Sequence, residues 1–243
     1  MVKRMKMKKY IQSMMAFAAI VSFASCSSED NNTTIENESA VKVMTFTATQ
    51  EGNEASTRAI LSGTNIHWDS EDKISLLYGG KNKEFTLIEG AGSTSGKFSG
   101  EAGQSTSYTA VYPYQPNASL SGDDVTNVTL PATQNATDNS FDKNAALMMA
   151  QSNSNTLNFK NVVGYVKVKP TFNCTRIDLK AFDNSAVLAG TGTVSYNNGE
   201  PKLDLSNAET KNDAITLRGD IKANKYYYIA VPPVTLKAGW TIK

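Results

Sequence analysis

Val162-Val163-Gly164-Tyr165-Val166-Lys167-Val168-Lys169 holds the most regular alternation in the chain. Val162, Gly164, Val166 and Val168 share one face of an extended strand, and Lys167 and Lys169 share the other, because successive side chains of a strand point to opposite sides. One face is dry and the other wet, as in a sheet packed on one side only. Working outward, the signature recurs. Toward the N-terminus the pattern predicts strands over residues 41–48, 66–68, 73–78, 84–88, 97–100, 107–112 and 125–130, closed by Gly, Pro, Asn or Glu. Toward the C-terminus it predicts strands over 176–181, 187–189, 193–196, 202–205, 214–217 and 225–231, with Asn197-Asn198-Gly199 as a hairpin turn, since Asn and Gly tolerate positive φ. The apolar run 146–150 is too short for period alone to assign. Residues 132–143, rich in Asn, Thr and Asp, read as a long loop. No helical period is sustained after the first 25 residues. Many short strands with turns between them indicate an all-β sandwich. A boundary is expected near Asn155, where polar residues 151–155 precede the long alternating strand.

The N-terminus is different. Lys3, Arg4, Lys6, Lys8 and Lys9 form a basic segment with no acidic residue, and residues 14–24 form an apolar run too short to span a bilayer. Small residues Ala24 and Ser25 then precede Cys26. The segment resembles a bacterial lipoprotein signal, in which cleavage before the cysteine is followed by its acylation; Phe23 stands where that pattern prefers Leu. Glu29-Asp30 resembles the surface-export signal of Bacteroidetes lipoproteins. Residues 1–25 are thus expected to be a signal peptide and 26–40 a polar, flexible tether to a lipid on Cys26. Each buried methylene contributes about 0.8 kcal/mol, so two or three acyl chains hold a protein at a membrane without a spanning helix.

Composition excludes several functions. Removing residues 1–25 takes away five basic residues and turns a net charge of +1 into −4. A mildly acidic chain lacks the basic face a nucleic-acid binder needs. With Cys26 acylated, Cys174 has no partner and a disulfide framework is excluded. His67 is the single histidine, so multi-His metal sites are ruled out, and no nucleophile or orienting acid is flagged beside it. Asp69-Ser70-Glu71-Asp72 reads as a turn whose side chains cap backbone amides, not as paired glycosidase carboxylates or a calcium loop. No enzyme activity, cofactor or metal is expected.

An ordered set of residues carries a family resemblance: Thr57-Arg58-Ala59; Trp68 with Asp72 and Ile74; Phe98-Ser99-Gly100; Tyr108-Thr109-Ala110-Val111-Tyr112-Pro113; Leu130-Pro131 with Gln134; and Leu157-Asn158-Phe159-Lys160. Together they resemble the fimbrillin-like lipoproteins of Bacteroidetes, from about Val41 to the chain's end. Glu71-Asp72 stands where Gly-Asp is usual. The resemblance implies two tandem β-sandwich domains of transthyretin-like, Greek-key type, expected over 41–154 and 155–243. It also implies further strands after Gly239-Trp240-Thr241-Ile242-Lys243, so either the second domain is short or the chain is a fragment. The implied function is a stalk, tip or anchor subunit of a type V pilus in cell adhesion, on the outer-membrane surface.

The resemblance also implies a processing site. A trypsin-like protease would cut between Arg58 and Ala59, the first strand would leave, and a strand from another fimbrial subunit would take its place. The alternative from the residues themselves is a surface lipoprotein that binds a carbohydrate or host protein. Its candidate aromatic surface includes Tyr114 and Tyr227, with Tyr112, Tyr226 and Tyr228 nearby in sequence. Against that stands the use of tyrosine as packing in sandwiches. Trp68, Tyr112 and Phe159 are expected as buried anchors.

Overall fold

A computed structural model describes residues 41–50, 67–182 and 186–243. The described chain is all-β. Its first strands are β1 (Lys42–Gln50), β2 (Lys73–Tyr78), β3 (Lys81–Glu89), β4 (Ser95–Ala102), β5 (Tyr108–Tyr112), β6 (Ser119–Ser121), β7 (Asp124–Leu130) and β8 (Thr133–Asn135). After a short 3-10 turn at Lys143–Ala145 come β9 (Met148–Ser152), β10 (Thr156–Asn161), β11 (Gly164–Val168), β12 (Cys174–Ala181) and β13 (Gly190–Asn197). β14 (Glu200–Asp204), β15 (Ala214–Ile221), β16 (Tyr227–Val231) and β17 (Trp240–Ile242) complete the set. Among the described residues no helix is long and apolar enough to cross a membrane.

Seven strands close into a barrel in the order β1-β10-β9-β5-β2-β3-β4. Its interior is aromatic: Trp68 meets Phe98, Tyr112 and Phe159 edge-on at centroid distances of 4.9, 5.3 and 5.6 Å. All three expected anchors are buried, but in this one core rather than in two. His67 is exposed, and residues 67–69 are irregular rather than strand. The following turn is built as read: Asp72 Oδ2 accepts the Asp69 N–H at 2.7 Å, and Asp69 Oδ1 accepts the Ser70 N–H at 2.6 Å.

One outer wall of the barrel is covered by a second sheet, β14-β13-β7-β6. Leu77, Val111, Leu147 and Met149 point outward and share a core with Val125, Val128, Val194 and Leu203 of that sheet. This explains the unassignable run 146–150: Met148 and Ala150 fill the barrel while Leu147 and Met149 fill the layer outside it, so no polar phase remains. A third core lies between β11-β16 and the sheet β17-β12-β15-β8.

Three expectations change. The boundary near Asn155 falls in the turn joining β9 to β10, which are neighbouring barrel strands. Gln151 and Ser152 of that polar stretch end β9 and residues 153–155 form the loop to β10, which belongs with β1. β6, β7 and β8 also precede that point, yet β7 pairs with β13 and β8 with β15. The chain therefore passes from the barrel to the other sheets and back, rather than completing one unit before starting the next. Second, residues 132–143 contain β8, and Gln134 is fully buried there. Its side chain donates to the Ala230 carbonyl at 2.8 Å and accepts the Ala230 N–H at 2.9 Å, doing the work of a strand neighbour. Third, Lys167 lies on the wet face of β11 as read, but Tyr165 on that face is half-buried against the barrel cores. The turn at Asn198-Gly199 has φ of 53° and 80°, the two-residue hairpin the sequence predicts.

Candidate functional site

The expected strand exchange would take place at the seat of β1. Its sequence, Lys-Val-Met-Thr-Phe-Thr-Ala-Thr-Gln, alternates cleanly. Met44, Phe46 and Ala48 enter the barrel core. Phe46 lies edge-on to Tyr108 at 4.9 Å and to Phe85 at 5.6 Å. The Tyr108 hydroxyl points at the Met44 sulfur at 3.9 Å. Outward, Val43 is 70% exposed. β1 is thus held by three apolar side chains and by its ladders, and its other face is open to solvent.

The two ladders are unequal. β1 pairs antiparallel with β4 over eight residues, from Lys42↔Ala102 to Thr49↔Ser95. Its pairing with β10 is parallel and covers only Thr47 to Gln50. The Thr47 N–H donates to Asn155 O at 2.9 Å on the β10 side, while the Gln50 N–H donates to Thr94 O at 3.0 Å near β4. Odd-numbered residues of β1 therefore turn their backbone groups toward β10 and even-numbered ones toward β4. β10 starts at Thr156, so the Val43 and Thr45 backbones face a gap on that side. Asn155 Nδ2 reaches the Thr45 carbonyl at 3.3 Å. The gap is a cavity of about 660 Å³ lined by Val43, Thr45, Ser105, Tyr108 and Asn153 among others. The seam is zipped along one edge and along half of the other.

Cys26, Arg58 and Ala59 lie outside the described residues. Tyr114 and Tyr227 lie in different parts of the fold. Tyr114 follows β5, where its N–H donates to Lys73 O at 2.9 Å. Tyr227 is 1% exposed, in the third core. Its hydroxyl donates to Asp138 at 2.8 Å and accepts the Lys222 N–H at 2.8 Å, so it packs and braces rather than presenting a ring. Tyr112 is buried as well, its hydroxyl donating to Asp72 at 3.0 Å. Burial pushes the Asp72 carboxyl above its ordinary range, against the Asp69 N–H and the Tyr112 hydroxyl that favour the charged form. Cys174 is a free, half-buried thiol packed against the third core. Among the described residues no three His, Cys, Asp or Glu side chains gather as a metal site.

No protein-family model matches the chain, and no curated protein matches it either. A solved structure described as a "putative cell adhesion protein" from Bacteroides ovatus is similar over 84% of this chain and 82% of that one. The identity is 14% and the TM-score 0.46. The functional reading rests on this chain's own geometry.

Of the three consecutive tyrosines of this segment the one that reaches solvent is Tyr226, the neighbour of the expected one. It is 39% exposed, with Lys167 Nζ 4.0 Å and Lys169 Nζ 5.3 Å from its ring centroid. The pairing of β11 with β16, which sets Lys167 opposite Tyr228 and brings Tyr226 to the lysines, is seen only in the fold.

Proposed function

We propose that the protein is a structural, non-enzymatic subunit of a surface fimbria of the type V pilus kind, serving as its stalk, tip or anchor in cell adhesion. In this reading Cys26 carries lipid and holds the chain at the outer surface of the outer membrane. Other fimbrial subunits join by strand addition, and nucleic acid is not a partner.

The observation that carries it is the seat of β1. A strand at the start of the fold seals an aromatic groove, is paired only halfway along one edge, and precedes a segment containing Arg58. Removing it would uncover the β4 and β10 edges and a row of pockets for alternate side chains. Main-chain hydrogen bonds then give an incoming strand affinity, and the pockets give it specificity. Electron microscopy of cells with and without the protein tests the reading. Filaments that vanish, shorten or detach in its absence support it; an unchanged filament population argues against it.

A second reading, a surface lipoprotein that binds a carbohydrate or host protein, is favoured by the exposed Tyr226 ring beside Lys167 and Lys169.

A further inference from the structure

A second cleft lies far from β1 in the chain, between strands β7 and β13 and the segment 204–212. Its volume is about 520 Å³. Glycines shape it. A Cβ on Gly192 would run into the Asp204 carbonyl, and one on Gly190, where φ is 147°, would stand 2.8 Å from the Thr210 carbonyl. Without side chains at these two places, 204–212 runs directly against β13 and forms the cleft's wall. β7 contributes an irregularity of its own: Val128 and Val125 pair with Gly192 and Val194, so β7 carries an extra residue there. Asn127 sits in that bulge at φ 60°. Bulges bend a strand and re-aim its side chains.

The lining is polar and carries no Lys or Arg. Asn127, Thr129, Thr191, Asp204, Asn207 and Glu209 supply carboxylates, carboxamides and hydroxyls. The Thr129 and Thr191 hydroxyls are already 2.8 Å apart, and Asp204 Oδ1 accepts the Ser206 N–H at 2.8 Å, which fixes that carboxylate. Each lining group accepts hydrogen bonds, and most also donate. Lys202 acts on Asp204 from outside the lining, and no cation lies in the lining itself beside Glu209, so the charge of the cleft wall disfavours an anion. Leu130, Pro131 and Ala132 are the apolar members of the lining and the rest is polar or glycine, whereas pockets for hydrophobic ligands are mostly apolar. Among the described residues no third His, Cys, Asp or Glu completes a metal site here.

We propose that this cleft binds a neutral, polyhydroxylated ligand, the chemistry of an uncharged sugar unit. Vicinal hydroxyls donate to Asp204 and Glu209, while the threonine hydroxyls and Asn127 and Asn207 meet the remaining donors and acceptors. The site uses no residue of β1 and goes beyond the strand-exchange reading, so either can fail without the other.

Saturation-transfer NMR on the full chain tests it, with glucose, galactose, mannose and N-acetylglucosamine as probes and glucuronic acid and glucosamine as charged comparators. Transfer to at least one neutral sugar is expected. Asp204→Asn, which keeps the shape and removes the charge, should weaken that binding about tenfold or more, as expected for loss of a charge-assisted hydrogen bond. Thr191→Val should weaken it while the melting temperature stays unchanged. The proposal is overturned by no transfer to any neutral sugar, by transfer only to glucuronic acid or only to glucosamine, or by binding that survives both substitutions.

Discussion

Phe46→Ala asks how firmly β1 is seated. The side chain is fully buried and lies edge-on to Tyr108 and Phe85. Truncating a buried Phe costs about 3–5 kcal/mol, from lost transfer free energy and the cavity left behind. Those two ring contacts put Phe46 at the upper end, since an edge-to-face pair adds about 0.5–1.5 kcal/mol beyond burial. For a chain of this size urea unfolding has a slope of about 3 kcal/mol per molar, so the midpoint should fall by roughly 1.3–1.7 M. Val43→Ala in the same strand is the control. Val43 is largely exposed, and its loss should stay within about 0.5 kcal/mol. Urea titrations of the three proteins, followed by tryptophan fluorescence, decide the matter. Trp68 sits in the same core and reports its opening. A Phe46→Ala midpoint within about 0.3 M of the parent would refute the reasoning, because β1 would then not be part of the cooperative barrel.

Other outcomes follow from particular contacts. Gly192→Ala should destabilise by about 1–3 kcal/mol, because the new Cβ meets the Asp204 backbone and not a side chain that can turn away; thermal melting checks it. Asp72 should make stability depend on pH in the sense opposite to a paired carboxylate. Its folded pKa is raised by burial, so the fold binds this proton more tightly than the unfolded chain does, and stability is gained as pH falls through the folded value. Melting temperatures of the parent relative to Asp72→Asn should therefore rise between pH 7 and pH 4. Asp178 should behave the other way. Burial pushes its carboxyl up, but hydrogen bonds from Arg176 and Thr216 together with the charges of Arg176 and Arg218 outweigh that and hold it low. Its contribution is present above the ordinary carboxylate range and lost as pH falls through the lowered value, so the parent's advantage over Asp178→Asn should shrink below about pH 4.

Period-2 alternation made most strands legible, because half-buried strands write their two faces into the sequence. β1, β12 and β14 were readable in this way; β2 and β16, buried on both faces, were readable only as short β-rich runs bounded by turn residues, and the Asn198-Gly199 hairpin was readable from turn chemistry alone. Long-range pairing left no local trace. That Thr47 pairs with Thr156, in parallel, is decided by how the barrel closes and not by either segment's composition. The polar run 151–155 looks the same whether it links two domains or turns a hairpin, which is why the expected boundary fell between two barrel strands. Gln134 in β8 is buried through two hydrogen bonds, so no apolar signature marks it. In Tyr226-Tyr227-Tyr228 the alternation was visible but its phase was not. Which ring faces the core depends on the layer behind β16, and that layer puts Tyr227 inside and Tyr226 at the surface. The second polar cleft was missed because its residues come from three separated segments and share no motif.

The proposed strand exchange requires β1 to leave its seat and be replaced by a strand from another molecule. Limited trypsin digestion of the folded chain, followed by sizing at several protein concentrations, tests it most directly. Arg58 follows a stretch, residues 52–57, that is polar and lacks a strand pattern, of the kind proteases cut. Strand exchange requires selective cleavage after Arg58 and then polymers whose length grows with concentration, while Arg58→Ala remains monomeric. Protection of Arg58, or clean cleavage that leaves monomers with β1 still bound, would contradict it.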